Sequence, residues 1–151
     1  MNPADLADMV HRDAADGVQQ HVVGAVIERQ GCILLLKRPS DDFRGGTWEL
    51  PSGKAEPGDS DLIAALHREV GEETGMTSAE VGRYLGAFDY VSGSGKRTRQ
   101  HTWAVTVSEP AEVGLSEHDD HTWAEAAETH PVSPEVQRLI DVRAANSPGT
   151  E

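Results

Sequence analysis

Apolar positions crowd into two short runs early in the chain, Val22 to Ile27 and Ile33 to Leu36, with Arg29, Gln30 and Gly31 between them. Both runs have strand length, and the Gln-Gly pair predicts a hairpin joining residues 21–28 to Cys32–Lys37. Ahead of them, Leu6, Met9 and Val10 fall on one side of a predicted helix over Pro3–Ala15. Beyond the hairpin, residues 39–46 read as a polar loop, 47–50 as a short strand, and the Gly- and Pro-rich stretch 51–59 as a second loop. A helix follows over 61–74, with Ser60 as its cap and Gly75 as its stop. Residues 80–90 and 98–108 are strands around a Gly-Ser loop at 92–95, and 122–124 is a further short strand. At the end, Ser133 caps a helix, Pro134 takes its first position, and Val136, Leu139 and Ile140 form its apolar face. The period calls for a fourth apolar residue where Arg143 stands, so that face is expected to be short. Helices mixed with hairpin-connected strands predict an α/β sandwich with a mixed sheet.

Composition fits this picture. With 151 residues, 37% of them hydrophobic and 26% charged, the chain suits one soluble domain over 1–151. Within it, 1–18 is a helical extension and 146–151 a disordered tail. Its apolar runs are too short for a bilayer span, and its start does not resemble a signal peptide. Cys32 stands alone and forms no internal disulfide, so the expected compartment is the cytoplasm. A formal charge of −13 argues against nucleic acid and anionic membrane as partners. It leaves room for a small anionic ligand, because a bound divalent cation reverses the local field.

The chemistry concentrates in the helix over 61–74. At 100° per residue, Glu72 lies about 60° to one side of Glu69 and Glu73 about 40° to the other. Ile63, Leu66 and Val70 share the adjoining face, so the helix docks one face and displays three carboxylates at its edge. Three glutamates on a helix are more often a solvated acidic face. Here they repel at i,i+3 and i,i+4 spacing and sit where the helix dipole disfavours them. Arg68 can pair with Glu72 but cannot neutralise all three. A divalent cation can, and carboxylate oxygens suit Mg2+, with Mn2+ as the alternative. Directly upstream, Gly53 and Gly58 allow sharp turns, a carbonyl near Ser52 or Gly53 can join a metal shell, and Lys54 can meet phosphate.

Residues 53–76, about a sixth of the chain, resemble the Nudix box: a glycine, a spaced acidic residue, then Arg68-Glu69-Val70-Gly71-Glu72-Glu73-Thr74-Gly75-Met76. That last block agrees with the family pattern at every fixed position. Three features differ. The interval from Gly53 to Arg68 is one position longer, Asp59 stands for the spaced glutamate, and Ser52 replaces a second glycine.

The resemblance implies the Nudix fold, an α/β/α sandwich with a mixed β-sheet. It also implies a Mg-dependent hydrolase that cleaves the pyrophosphate bond of a nucleoside diphosphate linked to another group, a nucleoside triphosphate among the choices. Glu69, Glu72 and Glu73 are the expected metal ligands, with Glu69 also a candidate base and Arg68 an orienting residue. Glu117, in the acidic segment 115–120, is the other candidate base. Arg38, Gly53, Lys54, Arg97 and Arg99 are the candidate substrate contacts. Family members acting on ADP-ribose often carry a proline downstream of the box, and this chain has none between Pro57 and Pro110. The tyrosine associated with dinucleoside polyphosphates is Gly93 here. The expected partner is a small nucleotide, with a homodimer as the expected assembly. A noncatalytic nucleotide-sensing domain of the same fold is the alternative, and the intact carboxylate block weighs against it.

Overall fold

A tight turn starts the sheet. Gln30 and Gly31 both take positive φ (52° and 82°), the conformation that lets two residues reverse a strand. They join β1 (Gln20–Arg29) to β2 (Cys32–Lys37), as the run spacing predicts. The computed structural model describes residues 1–37, 47–76, 79–107, 120–125 and 132–145. Arg38, the loop expected over 39–46, Glu117 and most of its acidic segment, and the expected tail at 146–151 lie outside the described residues.

The hairpin does not stay closed. Only Glu28↔Ile33 and Arg29↔Cys32 are paired in register before β1 and β2 splay apart. The chain that follows fills the wedge between them. β3 (Trp48–Glu49) pairs with β2, while β4 (Ser52–Lys54) pairs antiparallel with the start of β1, setting Gly24 opposite Ser52. Residues 52–54 are therefore a strand where the sequence reads as loop. On its far side β1 runs parallel to β6 (Arg97–Thr106), which pairs antiparallel with β5 (Glu80–Val91); β7 (Asp120–Glu125) covers the outer edge of β2. Among the described residues the sheet has seven strands and is mixed.

Alternation along the strands sorts the core into two faces. Val23, Ala25, Ile27, Leu34, Leu36, Trp103 and Val105 point to one side, where α1 (Pro3–Ala15) and α2 (Leu62–Thr74) pack. Val26, Ile33, Leu35, Leu50 and Leu85 point to the other, against Val136 and Leu139 of α3 (Pro134–Ala145). The result is an α/β/α sandwich, as expected.

Two helix faces differ from expectation. On α1 the buried positions are Leu6, Met9 and Asp13, spaced i, i+3, i+7, while Val10 is exposed. On α3, Arg143 does extend the buried face: it is only 9% exposed, and its guanidinium pairs with Glu28 of β1. A charged residue substitutes for the missing hydrophobe because an acidic partner waits on the sheet.

Candidate functional site

α2 carries the acidic cluster, and its ends are set locally. Asp61, not Ser60, is the cap: its φ is −159° and its carboxylate accepts from Ala64 N–H at 2.8 Å. Gly75 stops the helix at φ 77°, a left-handed conformation that suits glycine. Between these ends Leu62, Ala65, Leu66 and Val70 bury one face, which fixes the rotation of the helix about its axis. That rotation buries Glu69 and Glu73, 9% and 7% exposed, and leaves Glu72 largely open to solvent.

Glu69 reaches β4. A Cβ on Gly53 would fall 2.0 Å from Glu69 Oε2 and 2.5 Å from its Oε1, so the carboxylate occupies the space a side chain would fill. The glycine is required here for this close approach. Burial pushes the Glu69 carboxyl above the usual range. Arg68 opposes that, while Glu72 and Glu73 reinforce it.

Arg68 binds the loop to the helix with all five of its N–H donors. Nε and Nη2 grip Asp59 at 2.9 Å each, a bidentate pair. Nη2 also donates to the Lys54 carbonyl at 2.9 Å. Nη1 donates to Glu69 Oε1 at 2.9 Å and to Glu72 Oε2 at 3.1 Å. Asp59 additionally accepts from Glu56 N–H at 2.8 Å. These bonds, those of Arg68 first, hold the Asp59 carboxyl down to about 2. The position that differs from the family pattern thus has a defined role, as the acidic partner of Arg68.

The other expected site residues divide into two groups. Gly53 and Lys54 lie on β4, beneath and beside the cluster, with the Lys54 side chain exposed. Arg97 and Arg99 lie at the start of β6, toward α1. The Arg97 guanidinium lies close beside Gly17. Arg99 has four of its five donors committed to Asp89, Asp13 and Asp16, at 2.6 to 2.9 Å. Arg38 and Glu117 lie outside the described residues.

Sequence reasoning missed a cleft of about 500 Å³ on the α3 side of the sheet. Trp48, Phe88 and Tyr90 give it aromatic surface, and Glu49, Ser52 and Gln100 supply polar groups. Ser52 lines this cleft while its neighbour Gly53 receives the Glu69 carboxylate, because successive residues of a strand face opposite ways. The cleft and the acidic cluster therefore lie on the two faces of β4, one residue apart along the strand. Trp103 is a core residue, and Trp123 lies under the Arg29 guanidinium, 4.4 Å from its ring centroid.

Through Arg68 the acidic helix is clamped to the strand that carries Gly53, an arrangement that suits hydrolysis of a nucleotide pyrophosphate bond. The chain belongs to the Nudix family: the NUDIX domain matches residues 18–143. It is 37% identical over 122 residues to a CTP pyrophosphohydrolase of Escherichia coli, covering 80% of this chain and 87% of that protein. It is 34% identical over 118 residues to a putative 8-oxo-dGTP diphosphatase 2 of Mycobacterium tuberculosis, covering 76% of this chain and 79% of the relative. Its fold is similar to the solution structure of the Escherichia coli ORF135 protein (TM-score 0.70, 33% identity, 89% and 97% of the two chains). It is also similar to the crystal structure of a MutT protein from Methanosarcina mazei (TM-score 0.69, 28% identity, 87% and 98% covered). Family members of this kind use a divalent metal.

Proposed function

We propose that the chain hydrolyses a nucleoside triphosphate, with water attacking phosphorus and a pyrophosphate bond breaking. The observation that carries this reading is the Ser52–Gly53 step, which sets a cleft of about 500 Å³ and the Glu69 carboxylate one residue apart on the two faces of β4. The names of the two relatives point the same way, toward the triphosphates of pyrimidine and oxidised purine nucleosides.

The donor set fits a hard divalent cation. Glu69 and Glu73 are buried carboxylates, Glu69 lying against Gly53, and Glu72 is open to solvent. We assign these three as the residues that hold magnesium, with manganese able to substitute. A bound cation supplies neutralisation of the phosphate charge. The chain's own residues do the rest. Arg68 fixes Glu69 Oε1, so the Oε2 orientation over Gly53 is set before substrate arrives. Lys54 and Arg38 are the basic residues assigned to phosphate, and Trp48 with Phe88 and Tyr90 offers surfaces on which a base can stack. Glu69 and Glu117 are the two residues assigned to accept the water's proton.

The test is product release from a panel of nucleoside triphosphates, with and without magnesium. A magnesium requirement and monophosphate plus pyrophosphate as products are expected, with turnover greatly reduced in Glu73→Gln. Undiminished turnover in that variant overturns the assigned site. Comparing pH–rate profiles of Glu69→Gln and Glu117→Gln decides the base: its removal abolishes the acidic limb. A cytoplasmic location and a homodimer complete the proposal, the latter checked by light scattering.

A further inference from the structure

A second group of potential ligands lies on the α1 side of the sheet, separate from the α2 carboxylates. Asp13 of α1, His21 of β1 and His101 of β6 come together there. Asp13 Oδ2 lies 2.7 Å from Nε2 of each histidine, and the three atoms lie within 4.8 Å of one another. Asp13 and His101 are each 3% exposed, and the His21 side chain is four-fifths covered. The β1–β6 pairing creates the convergence: the parallel register puts Val23 beside His101, so His21 and His101 share a face two positions apart.

Two further polar atoms of the group have partners of their own. Asp13 Oδ1 accepts from Arg99 Nη1 at 2.8 Å, and His101 Nδ1 is 2.7 Å from the Tyr84 hydroxyl. This is the outer-shell arrangement that orients metal-binding imidazole and carboxylate groups. It leaves one carboxylate oxygen and the Nε2 atoms of both histidines grouped together. When Nδ1 of His101 donates to Tyr84, its Nε2 presents a lone pair to a carboxylate oxygen. In that tautomer the two lone pairs are free to bind one cation; with the Tyr84 hydroxyl donating to Nδ1 instead, His101 Nε2–H donates to Asp13. Arg99 does not exclude one, because Asp89 at 2.6 Å and Asp16 at 2.9 Å meet its charge. Tetrahedral bonds of about 2.1 Å separate ligand atoms by roughly 3.4 Å, so opening the group by well under 1 Å admits an ion. A cleft of about 600 Å³ borders Asp13 and His101 and leaves room for a water as fourth ligand.

We infer that Asp13, His21 and His101 bind a first-row transition ion, with zinc the best match to two imidazoles and a carboxylate. The site fastens α1 to the sheet. Asp13 precedes residues 18–143, over which the family match runs, whereas both histidines fall inside them. Nitrogen donors separate this site from the all-oxygen set on α2, which suits magnesium.

The experiment uses the full chain carrying Glu72→Gln and Glu73→Gln, which weakens cation binding on α2. Cobalt(II) is the probe, with its visible absorption as readout, followed by displacement with zinc. One equivalent of cobalt with the intense bands of four-coordination, displaced by zinc, is expected. His21→Gln keeps a polar side chain at a part-covered position and is expected to fold, checked by circular dichroism. It should weaken cobalt binding by about 100-fold or more, and zinc should no longer raise its Tm. Asp13→Asn should act in the same direction. No cobalt uptake in the parent, weak six-coordinate bands alone, or uptake unchanged in His21→Gln overturns the inference.

Discussion

Arg68 and Asp59 face each other across nine positions of chain, joined by two parallel hydrogen bonds of 2.9 Å. This pair decides where the glycine-bearing strand sits relative to the carboxylate helix, because the same guanidinium also holds the Lys54 carbonyl and Glu69. Arg68→Lys keeps the charge but loses the planar fork, so it cannot serve both elements. We expect kcat to fall by about 10- to 100-fold with circular dichroism unchanged, the size typical when an outer partner of a metal-binding group is removed. Steady-state kinetics at saturating magnesium checks this, and an unaltered kcat would remove the clamp from the mechanism.

Asp59 also predicts a pH dependence. Its carboxyl is held at about 2, below the ordinary aspartate value in the unfolded chain. A depressed acid contributes stability above the unfolded pKa and loses it as pH falls through the folded one. The window therefore lies below about pH 4. Urea midpoints measured between pH 5 and pH 2 should fall more steeply in the parent than in Asp59→Asn. Parallel curves would show that the pair contributes nothing to folding.

Gly53 tests how closely α2 approaches β4. Gly53→Ala puts a methyl group where the Glu69 carboxylate lies, at contacts near 2.0 Å. The side chain must swing away, which displaces a carboxylate proposed to hold the metal without disturbing the apolar face of α2. Activity is expected to drop by about 100-fold, in the range for misplacing a group by about an ångström. Gly58→Ala is the control, since a Cβ there meets nothing within 4 Å. Equal activities for the two variants would contradict the described contact.

Much of this site was legible because it is local. The spacing of Glu69, Glu72 and Glu73 fixes their angular separation, and Leu66 with Val70 tells which side docks. Gly75 and Pro134 likewise mark their boundaries through their own backbone preferences. What escaped depends on distant partners. Residues 52–54 became a strand only because β1 and β2 diverge and leave unpaired backbone on β1 for them to join. Arg97 and Arg99 read as a basic cluster in isolation, yet the partners of Arg99 arrive from α1 and β5. The meeting of Asp13, His21 and His101 depends on a parallel pairing that no local pattern announces.

Trp48 tests the cleft. It lines the cavity, and Lys37 Nζ lies 6.0 Å from its ring centroid. Trp48→Ala removes a stacking surface while leaving the α2 cluster untouched. Aromatic stacking on a base contributes about 1–3 kcal/mol in other settings. KM for a nucleoside triphosphate should therefore rise roughly 5- to 150-fold, with kcat changed far less. A fall in kcat at constant KM would place Trp48 outside the substrate-binding surface.

Arg143 gives a prediction about the fold alone. Its guanidinium, 9% exposed on α3, pairs with Glu28 at the end of β1, and burial lowers its pKa. Removing one partner of a buried pair leaves the other desolvated and costs about 3–5 kcal/mol where both are enclosed. The Glu28 side chain is 29% exposed, so water recovers part of that cost and about 2 kcal/mol is expected for Arg143→Ala. Arg143→Leu fills the volume and restores the apolar period after Val136 and Leu139, so its penalty should be smaller. Combined with Glu28→Gln, which removes the stranded charge, Arg143→Leu should approach the stability of the parent. Urea unfolding of the three variants gives the comparison. If Arg143→Ala and Arg143→Leu are equally stable, α3 gains nothing from packing at this position, and the ion pair alone holds its last turn.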